Sequence, residues 1–530
     1  MDSRSTALYT HLCNDLSKVL GSLSYHRLYK GNLRQSAWPG ISTREFACLS
    51  LADSILKKFE DKKSAMADEA ALTKFIEANT HCGKFAAIDE TLCSDLQSIA
   101  IGETKSILHD FWFDNGDYWL NLDEIVEGMA VGPGSSIGAS GESFYHKIAS
   151  SPLTCTRSSL FTLFKRESSR TPLTSATENI RSEVFGESVL VTGSRLAYVP
   201  KTSEISRTTC TEPLLNMMFQ QGIARQFTAA LRRKFGINLS NQPAKNQELC
   251  RIGSISGAFG TIDLSSASDT ISLGLIKQLL PPYVIGWLME TRSPSVTLPG
   301  GSVVPLHMVS SMGNAFTFPL QTILLSSIVL GCYAALDIKV SYPRGDGIGN
   351  FGVFGDDIIV DRKAYDLVVN LLGRFGFFVN TDKSFNSGSF RESCGVDYFD
   401  GTNVRGIYCR TLKHLQDMYS LINRLNVWSA NHAVPLPSTI GFLFRETGKK
   451  FIPVPVWESD TAGIKVPLNM LTDCKLKTVN FGSIVYQRYE PRPKALSLLA
   501  IQQRPLHYRR QKLINNVDGM YLAVLGGYAR

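Results

Sequence analysis

The chain has 530 residues, of which 44% are apolar, and carries a net charge of +8. That length is too great for one compact core and fits two to four subdomains. The ordinary apolar fraction excludes a disordered chain, and the mild positive charge is compatible with a polyanionic partner without requiring one. The eleven cysteines are scattered and form no C-x-x-C pair, which argues against a zinc ribbon or a disulfide framework and for a reducing compartment. Met1-Asp2-Ser3-Arg4 leads into a mixed polar segment without the apolar core of a signal peptide.

Residues 1–120 read as mostly helical, with apolar residues at helical spacing over Phe46–Phe59 and Leu72–Ala78. A Gly/Ser-rich loop follows at 132–141. It lacks the Gly-Lys-Ser/Thr ending of a P-loop, so it is either a backbone-rich phosphate or RNA contact or a plain connector. Val189–Thr192 and Leu196–Val199 read as strands, followed by Lys201 and Arg207. Two such cations on a strand-linked loop can grip a triphosphate, or simply be solvated. Residues 213–239 read as a helix with Arg225, Arg232, Arg233 and Lys234 on a solvated or nucleic-acid-facing side.

Thr261–Leu264 reads as a buried strand carrying Asp263 at its end, where a carboxylate is costly unless it is paired or binds metal. Ser265 or Ser266 is expected to begin a helix with Asp269 in its first turn. Ser310-Ser311-Met312-Gly313-Asn314 then opens a stretch, Met308–Leu336, with no charged residue. Its length would permit a membrane span. Pro319, Gln321, Ser326 and Ser327 interrupt it and no basic flank anchors it, so it reads as a helix buried in a large domain.

Residues 338–360 read as a hairpin region whose tip is Gly355-Asp356-Asp357, set between two apolar runs. Alone, such a turn is more often merely solvated. Carboxylates held together on an apolar scaffold nevertheless repel unless a cation lies between them, and a divalent metal is the natural partner. The Gly347–Gly352 match to G-x-G-x-x-G leads into a strand rather than a helix, so it is no dinucleotide site. Ala364–Phe375 reads as a helix. Asn380-Thr381-Asp382-Lys383 and Phe390-Arg391-Glu392-Ser393-Cys394-Gly395 follow, then a helix over Leu412–Trp428 and a basic, aromatic segment at 504–512 suited to single-stranded nucleic acid or to solvent.

The order of these pieces resembles motifs A to E, preceded by F, of the palm of an RNA-directed RNA polymerase. The wording at Val199–Lys201, Ile237–Leu239, Thr261–Ile271, Ser310–Phe318, Phe354–Ile359 and Phe390–Gly395 is similar to the catalytic replicase subunit of single-stranded RNA bacteriophages of the Q-beta type. The resemblance is specific over about 189–428 and faint in the N-terminal 120 residues and the C-terminal hundred. It implies an α+β right-hand polymerase with an antiparallel palm sheet and a largely helical remainder. Fingers would lie mainly in 1–250, the palm in 251–410, and the thumb with the C-terminal region in 411–530.

The implied chemistry is nucleotidyl transfer with two Mg²⁺ ions about 4 Å apart, Mn²⁺ being a possible substitute. Asp263, Asp356 and Asp357 would be the metal ligands, and the lack of a His/Cys cluster in the motifs argues against zinc. Asp269 and Asn314, on the loop with Ser311 and Gly313, would read the ribose 2′-hydroxyl. Lys201 and Arg207 would neutralise the triphosphate, and Lys383 is a candidate general acid for the departing pyrophosphate. Glu204 stands near where related replicases often carry a second lysine, so no role carries over to Ser203 or Glu204.

The family's partners would be template and product RNA, ribonucleoside triphosphates, host elongation factors Tu and Ts and a small-subunit ribosomal protein, in the cytoplasm of the bacterial host and without a membrane. The rival classes are a reverse transcriptase, a non-catalytic RNA-binding protein with a degenerate palm and, more distantly, a metal-dependent nuclease. The small, polar Ser265-Ser266-Ala267-Ser268 after the first aspartate lacks the bulky gate of a reverse transcriptase, and the three intact aspartates disfavour the degenerate palm. The ribose-reading residues disfavour the nuclease.

Overall fold

The computed structural model describes residues 3–21, 40–60, 65–139, 141–142, 144–202, 204–471, 475–477 and 483–490. The basic segment at 504–512 lies outside them. The fold is α+β and divides into two compact units. The first comprises Met1–Ala67, Pro200–Ser206 and Val396–Lys512, and the second Asp68–Val199, Arg207–Gly395 and Leu513–Arg530.

In the first unit, helices Ser3–Leu20, Thr43–Ser54, Leu415–His432 and Pro437–Glu446 dominate. The helix over Thr43–Ser54 starts on a capping box: Ser42 and Glu45 each accept from the other's backbone N–H. The Pro437–Glu446 helix has no such cap of its own. Asp15, buried on the first helix, supplies it instead. Its carboxylate accepts from Ser438 N–H at 3.1 Å, Thr439 N–H at 2.8 Å and the Thr439 hydroxyl at 2.8 Å. The Asp15→Ala variant is expected to lose about 2–3 kcal/mol of stability, because it strands buried donors at a helix N-terminus. Urea denaturation checks this, and an unchanged midpoint would contradict it.

In the second unit the elements that build the site are α1 (Asp95–Phe111), β1 (Ser194–Pro200), β2 (Ser206–Thr211), α2 (Leu214–Phe235), α3 (Gln242–Ser256), β3 (Phe259–Ile262) and β4 (Leu264–Ser265). They continue with β5 (Ser295–Thr297), β6 (Val303–Pro305), α4 (Thr317–Ala335), β7 (Gly352–Phe354), β8 (Asp357–Asp361), α5 (Tyr365–Arg374), β9 (Phe378–Val379) and β10 (Phe390–Ser393). Strands β7, β8 and β3 form an antiparallel sheet in that order. Ile358, Ile359 and Val360 of β8 are all fully buried. A strand covered on both faces needs a continuous apolar run rather than alternation, which is why β8 reads as an unbroken Ile-Ile-Val.

The uncharged stretch forms α4. It is the one described helix long and apolar enough to cross a membrane, but 83% of its most apolar window is buried in the protein. Its apolar residues join one core with those of α1 and α2. A helix apolar all round belongs inside a large core.

Two expectations need correction. Ser265 and Ser266 do not begin a helix. Ser266 adopts a left-handed conformation, φ 53°, Ala267–Asp269 is a single 3-10 turn, and the helix starts at Leu273 on a Ser272 cap. The Val309 N–H donating to Ile271 O at 2.8 Å and the Leu273 N–H donating to His307 O at 2.9 Å draw the chain into pairing with 307–309, so tertiary pairing overrides the capping signal. The hairpin is also shorter than 338–360, because its first strand begins only at Gly352 and the glycine-rich 347–351 precedes it as loop.

Candidate active site

The β7–β8 turn has two residues, since Phe354 pairs with Asp357 across it. Gly355, at φ 60°, takes the first turn position, where a two-residue hairpin of this kind needs positive φ. A Cβ there would lie 2.4 Å from the Phe318 ring. The Gly355 N–H donates to Thr322 Oγ1 on α4 at 3.1 Å. The turn is thus seated on the core helix rather than freely solvated, and it carries Asp356 and Asp357 at its end.

The third carboxylate comes from the neighbouring strand. Ile358 pairs with Ile262, so the ladder between β8 and β3 ends one residue short of Asp357 and Asp263 and brings both to the same end of the sheet. Asp263 occupies the break between β3, which pairs with β8, and β4, which pairs with β9. Burial pushes its carboxyl up to about 6; Lys383 and the Asn380 amide oppose this, while Asp356 and Asp357 add to it. Burial also raises the Asp357 carboxyl, against the Cys394 N–H and with a further push from Asp356.

Each of these two carboxylates has an anchor. Asp263 Oδ2 accepts from Asn380 Nδ2 at 2.8 Å and lies 3.9 Å from Lys383 Nζ. Asp357 Oδ1 accepts from the Cys394 N–H at 3.1 Å and the Ser393 hydroxyl at 3.3 Å. Lys383 also lies 3.8 Å from Glu392 Oε1. As these side chains are turned, no three His, Cys, Asp or Glu groups among the described residues converge closely enough to hold one ion. The backbone sets the aspartates together, and like charges held on separate anchors keep their heads apart. The donors at this end of the sheet are oxygens, which suits a hard cation such as Mg²⁺.

A second grouping surrounds the 310–314 loop. Gly313 sits at φ 115°, and a Cβ there would fall 2.1 Å from Cys210 O. The Cys210 N–H and the Thr209 hydroxyl donate to Met312 O at 2.7 and 3.3 Å, so the loop lies against β2. Ser311 bonds the Cys210 thiol. Asp269 is buried beside the loop; burial pushes its carboxyl up to about 7, against the Ser268 hydroxyl, the Met312 N–H and Lys74. Asn314 is 6% exposed. Its Oδ1 accepts from the Phe316 N–H at 3.0 Å, while its Nδ2 has no hydrogen-bond partner among the described residues. A buried amide with a spare donor is uncommon.

Arg207 is exposed on β2. Lys201 lies in the 200–206 segment, which groups with the first unit. There the Thr202 N–H donates to Ile205 O at 3.1 Å and the Thr202 hydroxyl accepts from the Glu204 and Ile205 N–H groups, closing the turn that Glu204 occupies. The structure therefore gathers Asp263, Asp356, Asp357 and Lys383 in one group and Asp269, Ser311, Gly313 and Asn314 in another, linked by residues 263–269. Asn380, Ser384, Glu392, Ser393 and Cys394 touch or neighbour the carboxylates and had no sequence signal beyond lying in the 380–395 stretch.

A family model described as RNA replicase, beta-chain, matches residues 5–462. The chain belongs to that family, the RNA-directed RNA polymerases of RNA bacteriophages. Among its relatives, the RNA-directed RNA polymerase beta chain of Enterobacteria phage fr is 30% identical over 463 residues, covering 82% of this chain and 77% of that one. The corresponding protein of Enterobacteria phage GA is 38% identical over 239 residues, 45% of this chain and 43% of its own. That of Escherichia virus Qbeta is 39% identical over 232 residues, 44% of this chain and 38% of its own. The matched segment thus spans less than half the length of the GA and Qbeta relatives. Among solved structures, the RNA-dependent RNA polymerase of a human picorbirnavirus superposes over 48% of this chain and 57% of that one at 11% identity and a TM-score of 0.32, too loosely to inform the site.

Proposed function

We propose that this chain copies an RNA template from ribonucleoside triphosphates, with Asp263, Asp356 and Asp357 holding two Mg²⁺ ions. The observation that carries this is the strand register that brings Asp263 and Asp357 to the same end of the sheet, with Asp356 at the adjoining turn. When bound, the ions would lower the pKa of the attacking 3′-hydroxyl and stabilise charge on the triphosphate. Asp263 and Asp357 orient the site through their anchors. Lys383, beside Asp263 and Glu392, would give a proton to the leaving pyrophosphate. Arg207, with Lys201, would neutralise the triphosphate. Asp269 and the spare Asn314 Nδ2 donor would read the ribose 2′-hydroxyl.

On this reading the fingers occupy mainly 1–250, the palm 251–410 and the thumb with the C-terminal region 411–530. The partners are template and product RNA and, by family, elongation factors Tu and Ts and a small-subunit ribosomal protein in the bacterial cytoplasm. Incorporation of ribo- against deoxyribonucleotides by the purified chain, with and without co-purified host proteins, tests the reading. Preference for deoxyribonucleotides would overturn it.

Two more outcomes follow from the ribose-reading group. Asn314→Ala removes the spare donor, so the preference for ribonucleotides is expected to fall by roughly tenfold, about one hydrogen bond's worth, measured as the ratio of kcat/KM values. An unchanged ratio would contradict the role.

Asp269 sets a pH dependence. In the unfolded chain its carboxyl titrates near its ordinary value of 3.8, against about 7 when folded. Between those values the folded chain holds a proton that the unfolded chain has released. Folding then takes up a proton, so this group's contribution falls as pH rises from about 4 to about 7 and levels off above. Asp269→Asn is expected to flatten that part of the stability–pH curve, read by urea midpoints from pH 5 to 8; an identical slope in the variant would contradict it.

A further inference from the structure

The turn after β9 grips Asp263 at three points. The Asn380 N–H donates to Asp263 O at 2.8 Å. The Asp263 N–H donates to the Ser384 hydroxyl at 3.1 Å, and that hydroxyl donates to Asn380 O at 2.8 Å. The third point is Asn380 Nδ2 on Asp263 Oδ2, at 2.8 Å. Asp263 lies in the break between β3 and β4, where the strand ladder passes it by, and residues 380–384 supply its backbone partners instead.

The first two contacts use the Asn380 backbone and Ser384, so they survive a change of side chain at 380. The third does not. It is also the one that ends on the carboxylate. A carboxylate has two oxygens, and fixing one of them fixes the direction of the other. Asn380 suits this task. Its amide donates without carrying a charge, so it orients Oδ2 without competing with a cation for Oδ1. Lys383, at 3.9 Å from the same oxygen, is charged and half exposed and cannot hold a single geometry as tightly. The Cys394 N–H and Ser393 hydroxyl hold one oxygen of Asp357 in the same manner.

We propose that Asn380 is a positioning residue that anchors Asp263 Oδ2 and thereby presents Oδ1 to the divalent cation; this rests on the metal-binding reading above. Partners of metal ligands commonly carry tenfold to hundredfold effects on affinity.

The test is Mn²⁺ binding to the full-length chain, followed by electron paramagnetic resonance without RNA or nucleotide, together with the thermal midpoint. Asn380→Ala is expected to weaken Mn²⁺ binding by about 10- to 100-fold with a midpoint close to the parent's. Asn380→Gln, which keeps the amide on a longer arm, is expected to fall between the two; should the alanine variant not fold, it carries the test alone. Asp263→Asn serves as reference. If it weakens Mn²⁺ binding while both Asn380 variants bind as the parent does, the role of Asn380 is overturned and the metal site stands. If Asp263→Asn also binds Mn²⁺ like the parent, the metal site itself is overturned.

Discussion

Asp357→Asn is expected to reduce template-directed synthesis by about a thousandfold. The variant keeps the side chain's shape and its place at the start of β8, so the sheet should survive. It removes the charge that would bind the cations. Such a cation is worth several kcal/mol of charge stabilisation in the transition state, and about 4 kcal/mol corresponds to that factor. The loss should appear in kcat, with RNA binding close to the parent's, because template contact depends on basic surface rather than on this pair. The variant should also be no less stable to heat, since Asp357 bears an unfavourable buried charge, its carboxyl raised by burial and by Asp356. Extension of a primed template at saturating Mg²⁺ checks the rate, and activity within tenfold of the parent's would contradict it.

Gly313→Ala is the second large effect. Two costs coincide at this residue. Its φ of 115° disfavours any side chain, and an added Cβ would overlap Cys210 O at 2.1 Å. Backbone cannot yield as a flexible side-chain end can. The loop must therefore move off β2, breaking the Cys210 N–H bond to Met312 O. That would shift Met312, whose N–H bonds Asp269, and Asn314 two residues away. A displacement of about 1 Å in a positioning element can cost about a hundredfold in rate. The expected result is a loss of that order in kcat/KM for ribonucleotides, larger than that from Asn314→Ala, which leaves the loop in place. Single-nucleotide incorporation measures both, and equal or reversed losses would contradict the account.

How far the site was legible depends on how local its causes are. The Gly355 turn was, because a two-residue reversal between apolar runs states its own requirements. The β8 run Ile358–Val360 and the uncharged α4 were legible for the same reason: each carries its burial in its composition. The meeting of Asp263 and Asp357 at one end of the sheet was not. It depends on the register between strands some ninety residues apart, and only the resemblance to a family suggested it. The start of the helix after Asp269 was misplaced because Ser265 and Ser266 offer good local caps, whereas pairing with 307–309 decides the backbone there. Asn380, Ser393 and Cys394 were invisible as site residues. A loop amide or a backbone N–H announces nothing until the fold brings it to a carboxylate. Gly313 carries no local sign of the group packed against it, which is the Cys210 carbonyl.

The central claim is that Asp263, Asp356 and Asp357 close on divalent cations between β3 and the β7–β8 turn. A crystal of the chain soaked in Mn²⁺ and measured at the manganese absorption edge tests it most directly. The account predicts anomalous density between Asp263 and the Asp356–Asp357 pair, with Asp263 Oδ2 still on Asn380. Manganese bound elsewhere, with no anomalous density between these carboxylates, would contradict it.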